Sequence, residues 1–230
     1  MMQQNNLRES PLQAVIFDLD GTLVDSAAAI CENANVVMNE LGLDELSVAE
    51  TKTYIGHGSR RFLEQAMTAR DQPVDSPDFE KAFGRLQEVY AGQPGEANRP
   101  FDGVQDVLAA LHGRGIALGL CTNKPAAPTR QVVEAHGWVA MFGAVVAGDD
   151  LVQRKPDPTP LRTVIARLGV ETAIYIGDSE VDALTAAAAE IPFVLFTEGY
   201  RKGPAADIKA QANFGRYDEL DRVLARLVLS

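Results

Sequence analysis

Two kinds of apolar pattern alternate along the chain. Short continuous runs rich in β-branched and aromatic residues occupy positions 14–17, 116–121, 144–147, 173–176 and 193–196. Such runs suit strands buried on both faces. Between the later ones, apolar residues recur every three or four positions over 104–112, 126–135, 160–168 and 181–189, which predicts helices. Strand alternating with helix predicts an α/β fold, a Rossmann-like parallel sheet core with helices on both faces. Strand order is not legible in the pattern.

The interval between the first two runs is different. It holds roughly a hundred residues, far more than a simple crossover needs. Apolar positions fall on helical faces at Ile30, Ala34, Val37, Met38 and Leu41, again at Phe62, Leu63 and Met67, and again from Phe79 to Tyr90. Turn-forming residues at Gly92-Gln93-Pro94-Gly95 and Arg99-Pro100-Phe101-Asp102-Gly103 mark its exit. We therefore expect an inserted all-helical cap domain over 26–98 and a core made of 1–25 and 99–230.

Composition narrows the partners. The net charge of -11 disfavours non-specific nucleic-acid binding, which needs basic patches. It also means that a small anionic ligand must find local cations, because the overall field repels it. Cys31 and Cys121 form neither a disulfide framework nor a metal-ligand spacing. No run approaches the roughly 20 apolar residues that span a bilayer, and the polar stretch 1–11 lacks an apolar signal core. The expectation is a cytoplasmic protein with no membrane or nucleic-acid partner.

In open parallel sheets, ligands bind beyond the carboxyl ends of the strands. Here those ends carry Asp18 and Asp20, then Thr122-Asn123-Lys124, then Gly148-Asp149-Asp150 with Lys155 shortly after, then Asp178 and Asp182. Asp18 and Asp20 lie two residues apart, so an extended chain points both to one side. Burying like charges together is costly unless a cation offsets them. Three carboxylates without a His cluster suit a hard divalent cation, and Mg²⁺ fits best because it takes few carboxylates and keeps positions for phosphate oxygens. Thr122 and nearby amides suit phosphate oxygens, and Lys155 suits the remaining charge. The pattern points to phosphoryl transfer.

In order, Asp18-Leu19-Asp20-Gly21-Thr22, Thr122, Lys155 and Gly177-Asp178 through Asp182 resemble the four motifs of the haloacid dehalogenase superfamily of aspartate-nucleophile phosphatases. Within that superfamily, Thr22-Leu23-Val24-Asp25-Ser26, Tyr54-Ile55-Gly56-His57-Gly58, Thr122-Asn123-Lys124-Pro125 and Lys155-Pro156-Asp157-Pro158 look most like the phosphoglycolate phosphatases. The resemblance implies that Asp18 is the nucleophile and Asp20 the acid and base. It implies that Thr122, Asn123 and Lys155 hold the phosphoryl group. Mg²⁺ is implied on Asp18, Asp178 and the backbone of Asp20, with Asp182 behind them in support. It places the loop of His57, Arg60 and Arg61 against the substrate. The implied partner is a small anionic phosphomonoester, with 2-phosphoglycolate foremost, and the implied state is a monomer or homodimer. Other small phosphates, such as N-acetylmuramic acid 6-phosphate or pyrophosphate, and a β-phosphoglucomutase-like reaction stay open.

Overall fold

The computed structural model describes residues 12–229; the polar stretch 1–11 lies outside them. In chain order the strands are β1 (Ala14–Phe17), β2 (Val24–Asp25), β3 (Arg99–Pro100), β4 (Ala117–Cys121), β5 (Phe142–Val146), β6 (Ala173–Gly177), β7 (Phe193–Phe196) and β8 (Ala212–Phe214). The helices are α1 (Ala27–Glu40), α2 (Val48–Tyr54), α3 (Ser59–Thr68), α4 (Pro77–Gly92), α5 (Val104–Gly113), α6 (Ala126–Ala135), α7 (Thr159–Leu168), α8 (Glu180–Ala189) and α9 (Leu220–Leu229).

Six strands form one parallel sheet in the order β5-β4-β1-β6-β7-β8. The expected α/β fold is therefore present. β1 is central, with Phe17 level with Leu120 on one neighbour and Ile176 on the other. All four of its residues are fully buried, and their alternation serves two cores. Val15 and Phe17 join Leu108, Trp138, Ile176 and Tyr217 on one face. Ala14 and Ile16 join Leu161, Val164, Tyr175 and Leu195 on the other. After β1 the chain builds β4 and β5 on one side, then crosses to build β6, β7 and β8 on the other. That reversal opens a crevice at the carboxyl end of β1.

Helices α1 to α4 lie between β2 and β3 and enclose their own apolar cluster around Met38, Leu63, Ala66, Phe79 and Leu86. Ser47 and Ser76 accept the N–H groups of Glu50 and Phe79, which fixes the starts of α2 and α4. β2 and β3 pair antiparallel, Val24 with Pro100 and Asp25 with Arg99. The chain thus leaves for these helices and returns from them at one point. Among the described residues, no helix is long and apolar enough to cross a membrane.

Candidate active site

Beyond Phe17 the backbone turns sharply. The N–H groups of Leu23 and Val24 both reach the Leu19 carbonyl, at 2.9 and 3.1 Å. Gly21 has φ +84°, and a Cβ there would lie 2.5 Å from Asp178 Oδ2. Only glycine suits both the left-handed backbone and the close approach. The turn brings Thr22 Oγ1 to donate to Asp178 Oδ1 at 2.8 Å. The Tyr200 N–H donates to Asp178 Oδ2 at 2.6 Å. At its other end, the Tyr200 hydroxyl donates to Asp25 Oδ1 at 2.6 Å and accepts the Ala27 N–H at 3.0 Å. One residue, through its backbone N–H and its hydroxyl, therefore joins the Asp178 loop to the base of α1.

Lys155 is the hub of the site. Its Nζ lies 2.8 Å from Asp18 Oδ1 and 2.7 Å from Asp182 Oδ1, and it donates to the Tyr175 hydroxyl at 2.9 Å. Asp182 is the third residue of α8. The Ser179 side chain accepts the Asp182 N–H, while Asp182 Oδ2 accepts from Ser179 Oγ at 2.6 Å and from the Ser179 and Asp178 N–H groups. Both oxygens of Asp182 are therefore occupied, Oδ1 by Lys155 and the Tyr175 hydroxyl. The four-residue spacing of Asp178 and Asp182 would put them on one helix face only if the helix began by Asp178. Asp178 instead precedes the helix, because Ser179 is the N-cap.

Three carboxylates, on Asp18, Asp178 and Asp182, present oxygens within 4.8 Å of one another, and all three residues are buried. One ammonium cannot balance three carboxylates. Burial pushes Asp18 up to about 7, against the pull of Lys155. Burial also pushes Asp178 well above the usual carboxylate range, with Asp182 and Asp18 adding to it. Burial acts on Asp182 in the same sense, but there Lys155 and the donated hydrogen bonds outweigh it and hold the carboxyl low. The donor set is hard oxygen, buried and over-charged. It fits a divalent cation held by Asp18 and Asp178, the two carboxylates that Asp182's saturation leaves available.

A cavity of about 50 Å³ opens here, lined from the sheet side by Asp18, Asp20, Thr122, Asn123, Lys124 and Lys155. The far wall comes from the helical insertion, through Ile30, Ile55, Gly56, Ser59, Phe62 and Tyr90. Thr122 Oγ1 accepts the Lys124 N–H at 3.1 Å. Asn123 bridges the two sides. Its Nδ2 donates to the carbonyls of Gly56 and Lys155, at 2.8 and 3.0 Å, and its Oδ1 accepts the Lys155 N–H at 3.0 Å. Lys124 Nζ donates to Asp20 Oδ1 at 2.9 Å.

Residues 15–196 match the family model of the haloacid dehalogenase-like hydrolases. The chain belongs to that family. It is 41% identical over 217 residues to a phosphoglycolate phosphatase of Cereibacter sphaeroides, covering 94% of this chain and 100% of the relative. It is 39% identical over 214 residues to a phosphoglycolate phosphatase of Rhodospirillum rubrum, covering 90% and 89%. A crystal structure of a predicted phosphoglycolate phosphatase from Haemophilus somnus superposes with a TM-score of 0.85 at 24% identity, over 93% of this chain and 98% of that one, and shares the fold. As an enzyme, this haloacid dehalogenase-like hydrolase stands with the phosphoric monoester hydrolases.

The hydrolase brings most of its motif residues to one place, but not all of the residues proposed from sequence. Asp18, Asp20, Thr122, Asn123 and Lys155 line the cavity, Asp182 contacts Lys155, and Asp178 presents an oxygen within 4.8 Å of those of Asp18 and Asp182. His57, Arg60 and Arg61 do not line it. His57 is exposed, and burial of part of its ring, Lys202 and Arg61 together hold its pKa below the usual value. Arg60 is clamped by both oxygens of Glu80 and lies 4.5 Å over the Phe83 ring. Arg61 pairs with Glu64 on the surface. Asp149 accepts the Ala126 N–H at the start of α6, and Asp150 accepts the Ala147 N–H within its own turn. Sequence reasoning gave no role to Lys124, Tyr90 or Tyr200. Lys124 carried a signal, since it directly follows Thr122-Asn123. Tyr90 sat in an apolar helical stripe and read as core.

Proposed function

We propose that this chain is a Mg²⁺-dependent phosphomonoesterase that works through an aspartyl phosphate on Asp18, with 2-phosphoglycolate as its substrate. The observation that carries this reading is Lys155 held between Asp18 and Asp182 at 2.8 and 2.7 Å, at the floor of a cavity that also contains Asp20 and Thr122. The relatives named phosphoglycolate phosphatase support the substrate.

The physical obstacle is the approach of a carboxylate to a phosphate dianion. Two like charges about 4 Å apart repel by about 4 kcal/mol at an effective dielectric near 20. Lys155 counters that repulsion from beside the nucleophile, and Asp182 keeps Lys155 in place. Mg²⁺, held by Asp18, Asp178 and the Asp20 carbonyl, supplies Lewis-acid stabilisation of phosphoryl charge when bound. An Asp18 oxygen attacks phosphorus as the ester oxygen departs. Asp20 gives that oxygen a proton from Oδ2, because Lys124 occupies Oδ1. Thr122 and Asn123 hold the transferring group. Asp20 then takes a proton from water, which attacks phosphorus, releases inorganic phosphate and restores Asp18. Closure of the helices α1 to α4 over the cavity excludes water while this happens.

The test is kcat/KM with Mg²⁺ for 2-phosphoglycolate beside N-acetylmuramic acid 6-phosphate, pyrophosphate and β-glucose 1-phosphate. Phosphoglycolate is expected to be strongly preferred. Asp18→Asn is expected to lower kcat by about 10⁴-fold or more, as loss of a nucleophile does. Wild-type turnover in that variant would remove the nucleophile assignment. Preference for another ester would remove the substrate and keep the chemistry.

A further inference from the structure

The cavity carries polar groups whose hydrogen-bonding capacity the phosphoryl chemistry leaves unused. Tyr90 of α4 lines it and is only 8% exposed. Among the described residues, nothing is hydrogen-bonded to its hydroxyl. A phenol that deep ordinarily finds a partner. Burial, and then the charge of Asp20, push its ionisation far up, so it remains a neutral donor.

Lys124 lines the same cavity from the sheet side and is nearly as buried. Its ammonium has three N–H donors. One meets Asp20 Oδ1 at 2.9 Å and a second lies 3.4 Å from Asn98 Oδ1, which leaves a third. α3 also begins here, because Gly58 and Ser59 line the cavity. Gly58 offers no side-chain cap, and the first turn closes with the Phe62 N–H on the Gly58 carbonyl at 3.0 Å. The N–H groups of the first helical residues have no intrahelical acceptor, and the helix dipole favours an anion beside them.

A hydroxyl, an ammonium and a helix start thus line the same cavity as the residues that take the phosphoryl group. Lys124 meets Asp20, the group that serves the ester oxygen, at 2.9 Å, so a carboxylate on Lys124 would lie close to that oxygen. We propose that Tyr90, Lys124 and the first turn of α3 form a carboxylate subsite that selects short phosphomonoesters bearing a carboxylate close to the ester oxygen. The proposal rests on the phosphomonoesterase reading above and names the groups that read the substrate's second charge.

The measurement is the ratio of kcat/KM for 2-phosphoglycolate to that for ethyl phosphate, which has the same ester length without the charge. Tyr90→Phe keeps the ring and is expected to lower that ratio about tenfold, the effect of one lost hydrogen bond to a charged group. Ser59→Asp places a carboxylate in the subsite at a helix position where an acid is favourable. It is expected to hold or raise Tm while abolishing the preference. A merely structural role for Ser59 would not move selectivity and stability in opposite directions. Calorimetric titration with phosphonoacetate and ethylphosphonate reads the same ratio without turnover. If neither ester is hydrolysed, the 2-phosphoglycolate reading fails, and the titration still decides the subsite. If both esters are hydrolysed but Tyr90→Phe lowers both alike, the subsite is overturned and the phosphatase reading stands.

Discussion

Ion pairs play opposite parts in the two halves of this molecule. In the helical insertion, Arg85 pairs with Glu40 and Glu88, and every member of that group is open to water, with 44% of the Arg85 side chain exposed. At the sheet edge, Lys155 pairs with Asp18 and Asp182, and its side chain is 2% exposed. Exposed pairs gain little, because water solvates the separated charges almost as well. Buried charges lose that solvation and depend on one another. The contrast teaches where chemistry resides in an acidic chain. Its reactive groups are those whose charge has no solvent to fall back on, and their ionisation is set by neighbours.

Lys155→Met tests the buried side most severely. It leaves Asp18 and Asp182 without their shared cation, and removing one partner of a buried pair costs about 3–5 kcal/mol. The urea midpoint is expected to fall accordingly. A loss below about 1 kcal/mol would mean that the cluster tolerates separation as the surface pairs do.

Next in size is the linkage between protons and metal. Without a cation, the folded chain keeps protons on Asp18, up to about 7, and on Asp178 well above the usual carboxylate range. The unfolded chain releases both near pH 4. The native state therefore binds more protons across that window, so these two groups lose stability as pH rises through it. Mg²⁺ competes with the same protons. The rise in Tm on adding Mg²⁺ is expected to be larger at about pH 8 than at about pH 5.5. An equal or reversed effect in a thermal melt would place the cation elsewhere. The smallest effect belongs to Arg85→Ala, for which Tm is expected to stay nearly where it was. A large drop would show that the surface network of α1 and α4 acts as more than solvated charge.

The sheet was largely legible in the chain, for a physical reason. Buried strands and amphipathic helices leave a period, and the runs at 14–17 and 193–196 coincide with β1 and β7, while 126–135 coincides with α6. β2, β3 and β8 have only two or three residues each, too few to carry a period. The order of strands was not legible, because periodicity says which face is buried and not which neighbour buries it. The motif residues of the site could be read because they follow strand ends. Tyr90 could not, since an aromatic in an apolar stripe looks the same whether its hydroxyl meets a partner or a cavity. Tyr200 was hidden differently, because its partners Asp178, Asp25 and Ala27 lie far from it in sequence.

The β2–β3 pair has a bearing on chain entropy. By fixing Val24 against Pro100, it closes the base of an excursion of about seventy residues. Closure cost grows only with the logarithm of loop length, about 0.6 kcal/mol for each doubling. The sheet therefore feels the excursion as two adjacent ends and is almost indifferent to how much chain lies between them. What is grafted onto that base can lengthen, shorten or repack with little thermodynamic consequence for β1 and the carboxylates at its end.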